Sequence, residues 1–253
     1  MWCKLIKSSG YNNYNNNIIT SNLITWLDAS DTSSYNPLIS ITNWNDLSSN
    51  NTDHTINGTV SSTGGFSTSG FNWKAISFNG INTYTISTPL LSYFNSSSFN
   101  QTQEIWFKNS YNNIVTSNGV IIDELGTTTI NTNWHDSQLE IVNNNVYIRV
   151  WNNLNFINLG NVSSGNWNHA VWRYNNSTST LDGFLNGIKS VSSINTRIIP
   201  SPNYYTALGV TDSTNMGSGI YFKGLISIYR NYNKVLSDSE VLSNYNNEKY
   251  KFI

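Results

Sequence analysis

Hydrolytic chemistry on a strand-rich chain would need two carboxyl groups about 5–9 Å apart, and along one strand such a pair reads as acids two residues apart on a shared face. No E-x-D or E-x-D-x-x-E run occurs. Asp123 and Glu124 are adjacent, so a strand would send them to opposite faces. Glu140 has Gln138 and Val142 as its same-face neighbours, and Glu104 has Trp106. His54, His135 and His169 are scattered and show no H-E-x-x-H spacing. Gly64-Gly65 is not followed by a lysine or a helix, so it is no phosphate loop. Gly217-Ser218-Gly219 has the wrong spacing for a nucleophile elbow. No catalytic residue emerges, and an enzyme is not expected.

Binding is better served than reaction. A sugar ring presents apolar C–H faces and polar edges together, so a stacking ring beside an Asn or Asp is the pattern to seek. It occurs at Trp134-His135-Asp136 and at Trp151-Asn152-Asn153, and Trp73 adds a third ring. The candidate carbohydrate-binding set is therefore Trp73, Trp134, Asp136, Trp151 and Asn152. The competing reading is that these rings pack over a sheet edge or against a neighbouring subunit.

The elements that must position them are short strands. Leu23 to Leu27 is a β-rich run ended by the turn-forming Asp28-Ala29-Ser30-Asp31. Further runs are Ala75 to Phe78, Tyr84 to Ser87, Glu104 to Lys108, Ile114-Val115, Val120 to Ile122 and Leu139 to Val142. Asn168 to Tyr174, Leu181 to Leu185, Ile188 to Val191, Thr206 to Val210 and Tyr221 to Tyr229 continue the series. In Val146 to Trp151, Val146, Ile148 and Val150 fall on one face, and Tyr147, Arg149 and Trp151 on the other. Asn79-Gly80 and Asn186-Gly187 are hairpin signals, and Asn143-Asn144-Asn145 reads as a three-residue hairpin loop. One helix is expected, at the capping box Ser237-Asp238-Ser239-Glu240. Many strands and one terminal helix predict an all-β antiparallel sandwich or jelly roll over residues 23–253. Residues 1–22, rich in Asn and Tyr, read either as an arm that docks on a neighbouring subunit or as a loose terminus.

Composition narrows the function classes. Charged residues make up 11% of the chain, with Lys+Arg 13 against Asp+Glu 14, so no basic patch is available for nucleic acid or anionic lipid, and neither nucleic acid nor a membrane is expected as a partner. No apolar run reaches the about 18–20 residues of a membrane span, and no signal peptide is legible at Met1 to Lys7. One cysteine permits no internal disulfide.

An ordered series of motifs resembles the laminin-G-like domains of the concanavalin A-like lectin/glucanase superfamily, of the kind found in phage and giant-virus structural proteins. Ile24-Thr25-Trp26-Leu27-Asp28-Ala29-Ser30-Asp31 resembles the opening strand, and Asn43-Trp44-Asn45-Asp46-Leu47-Ser48-Ser49-Asn50 the loop after it. Ala75 to Tyr84, Glu104 to Lys108, Trp167-Asn168-His169, Phe184 to Gly187 and Phe222 to Tyr245 follow in family order, with Ser49 and Thr83 as departures from the pattern. The resemblance implies a jelly roll in which Trp26, Trp44, Trp106 and Trp167 are core or loop-locking rings and His169 is a packed strand residue. It implies a structural or attachment component of a virus particle surface, partnered by other virion proteins or by its own copies. A free carbohydrate-binding lectin is the alternative, and a glycoside hydrolase a weaker one, since the glucanases' paired carboxylates are missing. No cofactor is implied beyond calcium, the family's common ion, with Asp28, Asp31, Asp123 and Asp212 as candidate ligands.

Overall fold

Runs rich in β-branched and aromatic residues drive the chain into strands, the longest of them buried on both faces. The computed structural model describes residues 17–59, 65–68, 71–94, 99–110, 119–130, 135–150, 156–194, 197, 203–211 and 221–252. In chain order the strands begin with β1 (Leu23–Asp28), β2 (Asn43–Trp44), β3 (His54–Asn57), β4 (Gly65–Thr68), β5 (Phe71–Lys74) and β6 (Ile76–Asn79). β7 (Tyr84–Ser87), β8 (Gln101–Asn109), β9 (Gly119–Leu125), β10 (His135–Val142), β11 (Asn145–Val150) and β12 (Ile157–Asn161) follow. β13 (Trp167–Asn175), β14 (Thr180–Leu185), β15 (Ile188–Ile194), β16 (Tyr205–Leu208) and β17 (Lys223–Tyr232) precede helix α1 (Asp238–Glu248).

Among the described residues these strands form two large antiparallel sheets. One runs β1-β17-β8-β13-β14-β15 with β6 also on β17, and the other runs β12-β11-β10-β9-β16-β7-β3-β2. β4 and β5 pair only with each other. Ile105 and Phe107 of the first sheet meet Ile122, Leu139, Ile141, Val146, Ile148 and Leu208 of the second in one core. The all-β sandwich with a single short C-terminal helix is thus the architecture the residues predict.

The helix forms where its capping box stands. Ser237 Oγ accepts from Glu240 N, and the Glu240 side chain accepts from Ser237 N at 2.7 Å. α1 and the residues after it cover the outer face of the first sheet. There Trp106 stacks on Phe252 at 4.3 Å and on Tyr245 at 5.6 Å. Residues 17–22 lie on the same helix, with Ile19 N donating to Asn244 Oδ1.

Turn signals met two fates. Asn186 and Gly187, both at positive φ, join β14 to β15 as a hairpin. Asn143 and Asn144 form a two-residue turn with φ of 50° and 64°, shorter than the three-residue loop expected, because Asn145 already pairs with Val142. Asn79-Gly80 makes no hairpin: β6 pairs with β17 in one sheet, whereas β7 pairs with β3 and β16 in the other. Asn79 Oδ1 accepts from the amides of Ile81, Asn82 and Thr83, shaping a corner that carries the chain between sheets. Gly58 packs under this corner at φ +80°, where a Cβ would sit 1.9 Å from the Asn82 carbonyl oxygen. Gly58→Ala is expected to destabilise the fold by about 2–3 kcal/mol, read as a shift in the urea midpoint.

Candidate functional site

Most acids of the chain are already engaged. Glu104 accepts from Arg230 Nη1 at 2.7 Å beneath α1. Glu124, inside the sandwich, accepts from Gln103 Nε2 at 2.7 Å and Arg197 Nη2 at 2.6 Å, and from the Tyr204 hydroxyl. Asp182 accepts from Arg173 Nε at 2.8 Å, and Asp46 takes the amides of Trp26, Ser48 and Thr52. These arrangements hold strands and loops together and offer no open chemistry.

The outer face of the second sheet is different. β11 alternates between half-buried and buried positions, with Val146, Ile148 and Val150 inward, which leaves Tyr147 and Arg149 on the outer face as the alternation predicts. Arg149 stands opposite Gln138 on β10, and Gln138 opposite Asp123 on β9. One pleat further along, Tyr147 stands opposite Glu140 and Glu140 opposite Val120. Cross-strand register therefore sets Asp123 and Glu140 on one face as diagonal neighbours of adjacent strands, about 7–8 Å between backbones. Both carboxylates are buried. Burial lowers the Arg149 pKa, and Glu140 and then Asp123 act against that shift; a guanidinium keeps its charge in either case.

Arg149 is only half-buried, and its guanidinium carbon lies 4.9 Å from the centre of the exposed Phe156 ring. Tyr147 meets the same ring edge-on at 6.0 Å. Across the face, Leu125, Ala207, Ile86 and Val210 form an apolar floor under the partly buried Tyr84, Tyr205 and Tyr221. The face joins a half-buried cation, two carboxylates closed to solvent and aromatic rings.

The residues singled out from sequence fall as follows. Trp134, Trp151, Asn152 and Asp212 lie outside the described residues, and Trp73 and Asp136 are described in backbone only, on β5 and β10. The β10–β11 hairpin opens at Ser137 and Val150, beside Asp136 and Trp151 in the chain, at the Arg149 end of the face. Asp28 ends β1, in the opposite sheet from Asp123, and Asp31 lies in the turn that follows. Asp28 Oδ1 accepts from Ser30 N at 2.9 Å, Lys251 Nζ lies 3.6 Å from its Oδ2, and Asp31 accepts from Ser33 N at 2.7 Å. No group of three or more His, Cys, Asp or Glu that could hold a metal ion occurs among the described residues.

Trp44, Trp106 and Trp167 are buried, Trp26 lies under Arg230 at 5.0 Å, and His169 is buried beside Glu104. Asp123 and Glu124 do point to opposite faces. The Asp123–Glu140 juxtaposition escapes a search along single strands because it spans two strands, Asp123 standing opposite Gln138, two residues before Glu140.

The described residues thus form a sandwich of two antiparallel sheets with one C-terminal helix. No protein-family model and no curated protein matches the chain. Solved structures do. Domain 4 of AbnA, an extracellular GH43 arabinanase from Geobacillus stearothermophilus determined with arabinotriose, is similar with a TM-score of 0.61 at 17% identity, over 88% of this chain and 98% of that one. The receptor-binding domain of botulinum neurotoxin C/D mosaic serotype gives a TM-score of 0.64 at 17% identity, over 90% of this chain and 52% of that one. A Trypanosoma rangeli sialidase gives 0.62 at 12% identity, over 90% and 33%. The chain thus spans about half of the toxin domain and a third of the sialidase, and at these identities the likeness establishes the fold.

Proposed function

We propose that the chain is a non-catalytic carbohydrate-recognition module and that the outer face of β9, β10 and β11 is its sugar-binding surface. The observation that carries this reading is the Arg149–Phe156–Tyr147 arrangement: a held donor beside an exposed ring, backed by two carboxylates. It offers a sugar what its mixed surface needs, an apolar platform and directed hydrogen bonds. The sugar complex of the arabinanase domain adds support, as does a botulinum DC binding domain solved with SialylT. A hydrolase would need one carboxyl protonated as general acid, and a guanidinium beside both works against that form.

The test is a glycan array followed by titration of the best ligand. Phe156→Ala is expected to weaken binding about tenfold with an unchanged thermal midpoint, since the ring is exposed. Undiminished binding would move the site to Trp73, Trp134, Asp136, Trp151 or Asn152. Sugar release that disappears in Asp123→Asn would make the protein an enzyme.

The setting we propose is the surface of a virus particle, as attachment or structural component. Its support is the motif series together with a surface poor in charge, on which many copies pack without self-repulsion. Stoichiometric recovery of the chain in purified particles is the expected result, and recovery only as free protein would remove that setting.

A further inference from the structure

The turn between β1 and β2 carries aliphatic side chains into solvent. Leu38 is 94% exposed, Ile39 84% and Ile41 48%. The turn is not slack: Tyr35 and Trp44, at its two roots, are both buried in the main core. Ile81, 72% exposed, sits at the same end of the sandwich. Register places it there, because Thr42 O accepts from Ile56 N, Asn57 pairs with Tyr84, and Gly58 packs against Asn82.

The chemistry of this end is one-sided. No ionic residue lies between Asp31 and Asp46, and the second turn is Asn79-Gly80-Ile81-Asn82-Thr83. Lys223, exposed and opposite Asn79, has its side-chain stem against Gly80 of that second turn. Four backbone donors of the first turn are met internally: Leu38 N donates to Asn36 Oδ1 at 3.1 Å, Ile39 N and Ser40 N to Asn36 O at 3.0 Å, and Thr42 N to Ser40 Oγ at 3.2 Å. Pro37 has no N–H to satisfy. A segment entering hydrocarbon must bring its polar backbone already paired, and this one does for most of its donors.

From these features we propose that the Leu38–Ile39–Ile41 tip, flanked by Ile81, inserts into the interfacial region of an uncharged lipid surface. A convex tip of a few aliphatic side chains falls well short of the about 1,200 Å² that a stable protein interface buries. A fluid apolar phase needs no matching groove. Attraction here is apolar and not ionic, so a search for basic patches does not detect it.

The experiment is co-flotation of the full chain with vesicles of phosphatidylcholine alone, which carry no glycan and so leave the sugar-binding reading untouched. The wild type is expected to float with the vesicles. Leu38→Ser/Ile39→Ser is expected to lose partitioning by at least about tenfold while keeping its thermal midpoint, because both residues are exposed. A bimane on Leu38→Cys, in a Cys3→Ser background, should shift to the blue when vesicles are added. Absence of wild-type flotation, or equal flotation of the double variant, overturns the proposal. So does a dimer in sedimentation velocity that the double variant abolishes without any vesicle binding, which would make a second copy the occupant.

Discussion

Arg230→Met will lower the free energy of unfolding at neutral pH by about 3–5 kcal/mol, measured from urea midpoints. Arg230 is fully buried on β17 and donates to Glu104 at 2.7 Å and to both carboxylate oxygens of Glu248. Glu248 in turn accepts from Trp106 Nε1 at 3.0 Å, so one guanidinium ties the sheet to the end of α1. Methionine fills much of the volume but takes this cation from two buried carboxylates, leaving Glu248 only Lys251 Nζ, at 3.9 Å, as a cation among the described residues. The loss measures that desolvated charge more than the worth of the original pair. A surface pair sets the scale: Lys234 and Glu240, at 2.7 Å with both side chains partly open to water, should contribute only about 0–1 kcal/mol.

The same variant should change how acid acts. Burial pushes the Glu104 pKa up, yet the Arg230 charge and neighbouring His169 together hold it down to about 2. A carboxylate whose folded value lies below its unfolded one adds stability that is present above pH 4.5 and lost as pH falls toward 2. Without Arg230 the upward push of burial loses its main opponent. The gap between variant and wild type should therefore narrow below pH 4.5; a constant gap down to pH 2.5 would mean that Glu104 does not depend on Arg230 in this way.

Strands whose alternation is strict were legible in the residues, and β11 with its inward valines and outward Tyr147 and Arg149 is the clearest case. The capping box was legible because its signal is local, the reciprocal contacts of Ser237 and Glu240. Short strands such as β2 and β3 carry too few positions to show a period. Asn79-Gly80 states that the chain bends but not into which sheet the next strand goes; that depends on β17, far along the chain. The face bearing Asp123, Glu140 and Arg149 was half legible. Arg149 and Tyr147 could be placed by alternation, whereas the carboxylate pair exists only through the register of β9 against β10. The aliphatic tip at Leu38 and Ile39 escaped because a run so short reads equally well as core.

His54 should make the protein sensitive to mild acid. It lies on β3 with its ring fully buried between the sheets, 5.7 Å from the Tyr229 ring. Nδ1 lies 2.8 Å from Thr85 Oγ1, and Nε2 has no hydrogen-bond partner among the described residues. No carboxylate is paired with it among the described residues, and burial lowers its pKa from 6.5 to about 3. The sign follows from the protons bound. Between pH 6.5 and 3 the unfolded chain carries a proton on this imidazole and the folded chain does not, so stability falls as pH falls. From pH 6.5 to 4.5 the imidazole alone should cost about 2–3 kcal/mol, with carboxylates adding to the loss only near the lower end of that window. His54→Gln keeps a polar group within reach of Thr85 but cannot take up the proton. Its stability at pH 7 should be lower than that of the wild type, and its decline between pH 6.5 and 4.5 shallower by most of that amount. Parallel pH profiles for the two proteins would show that the buried imidazole is not the acid-sensitive group.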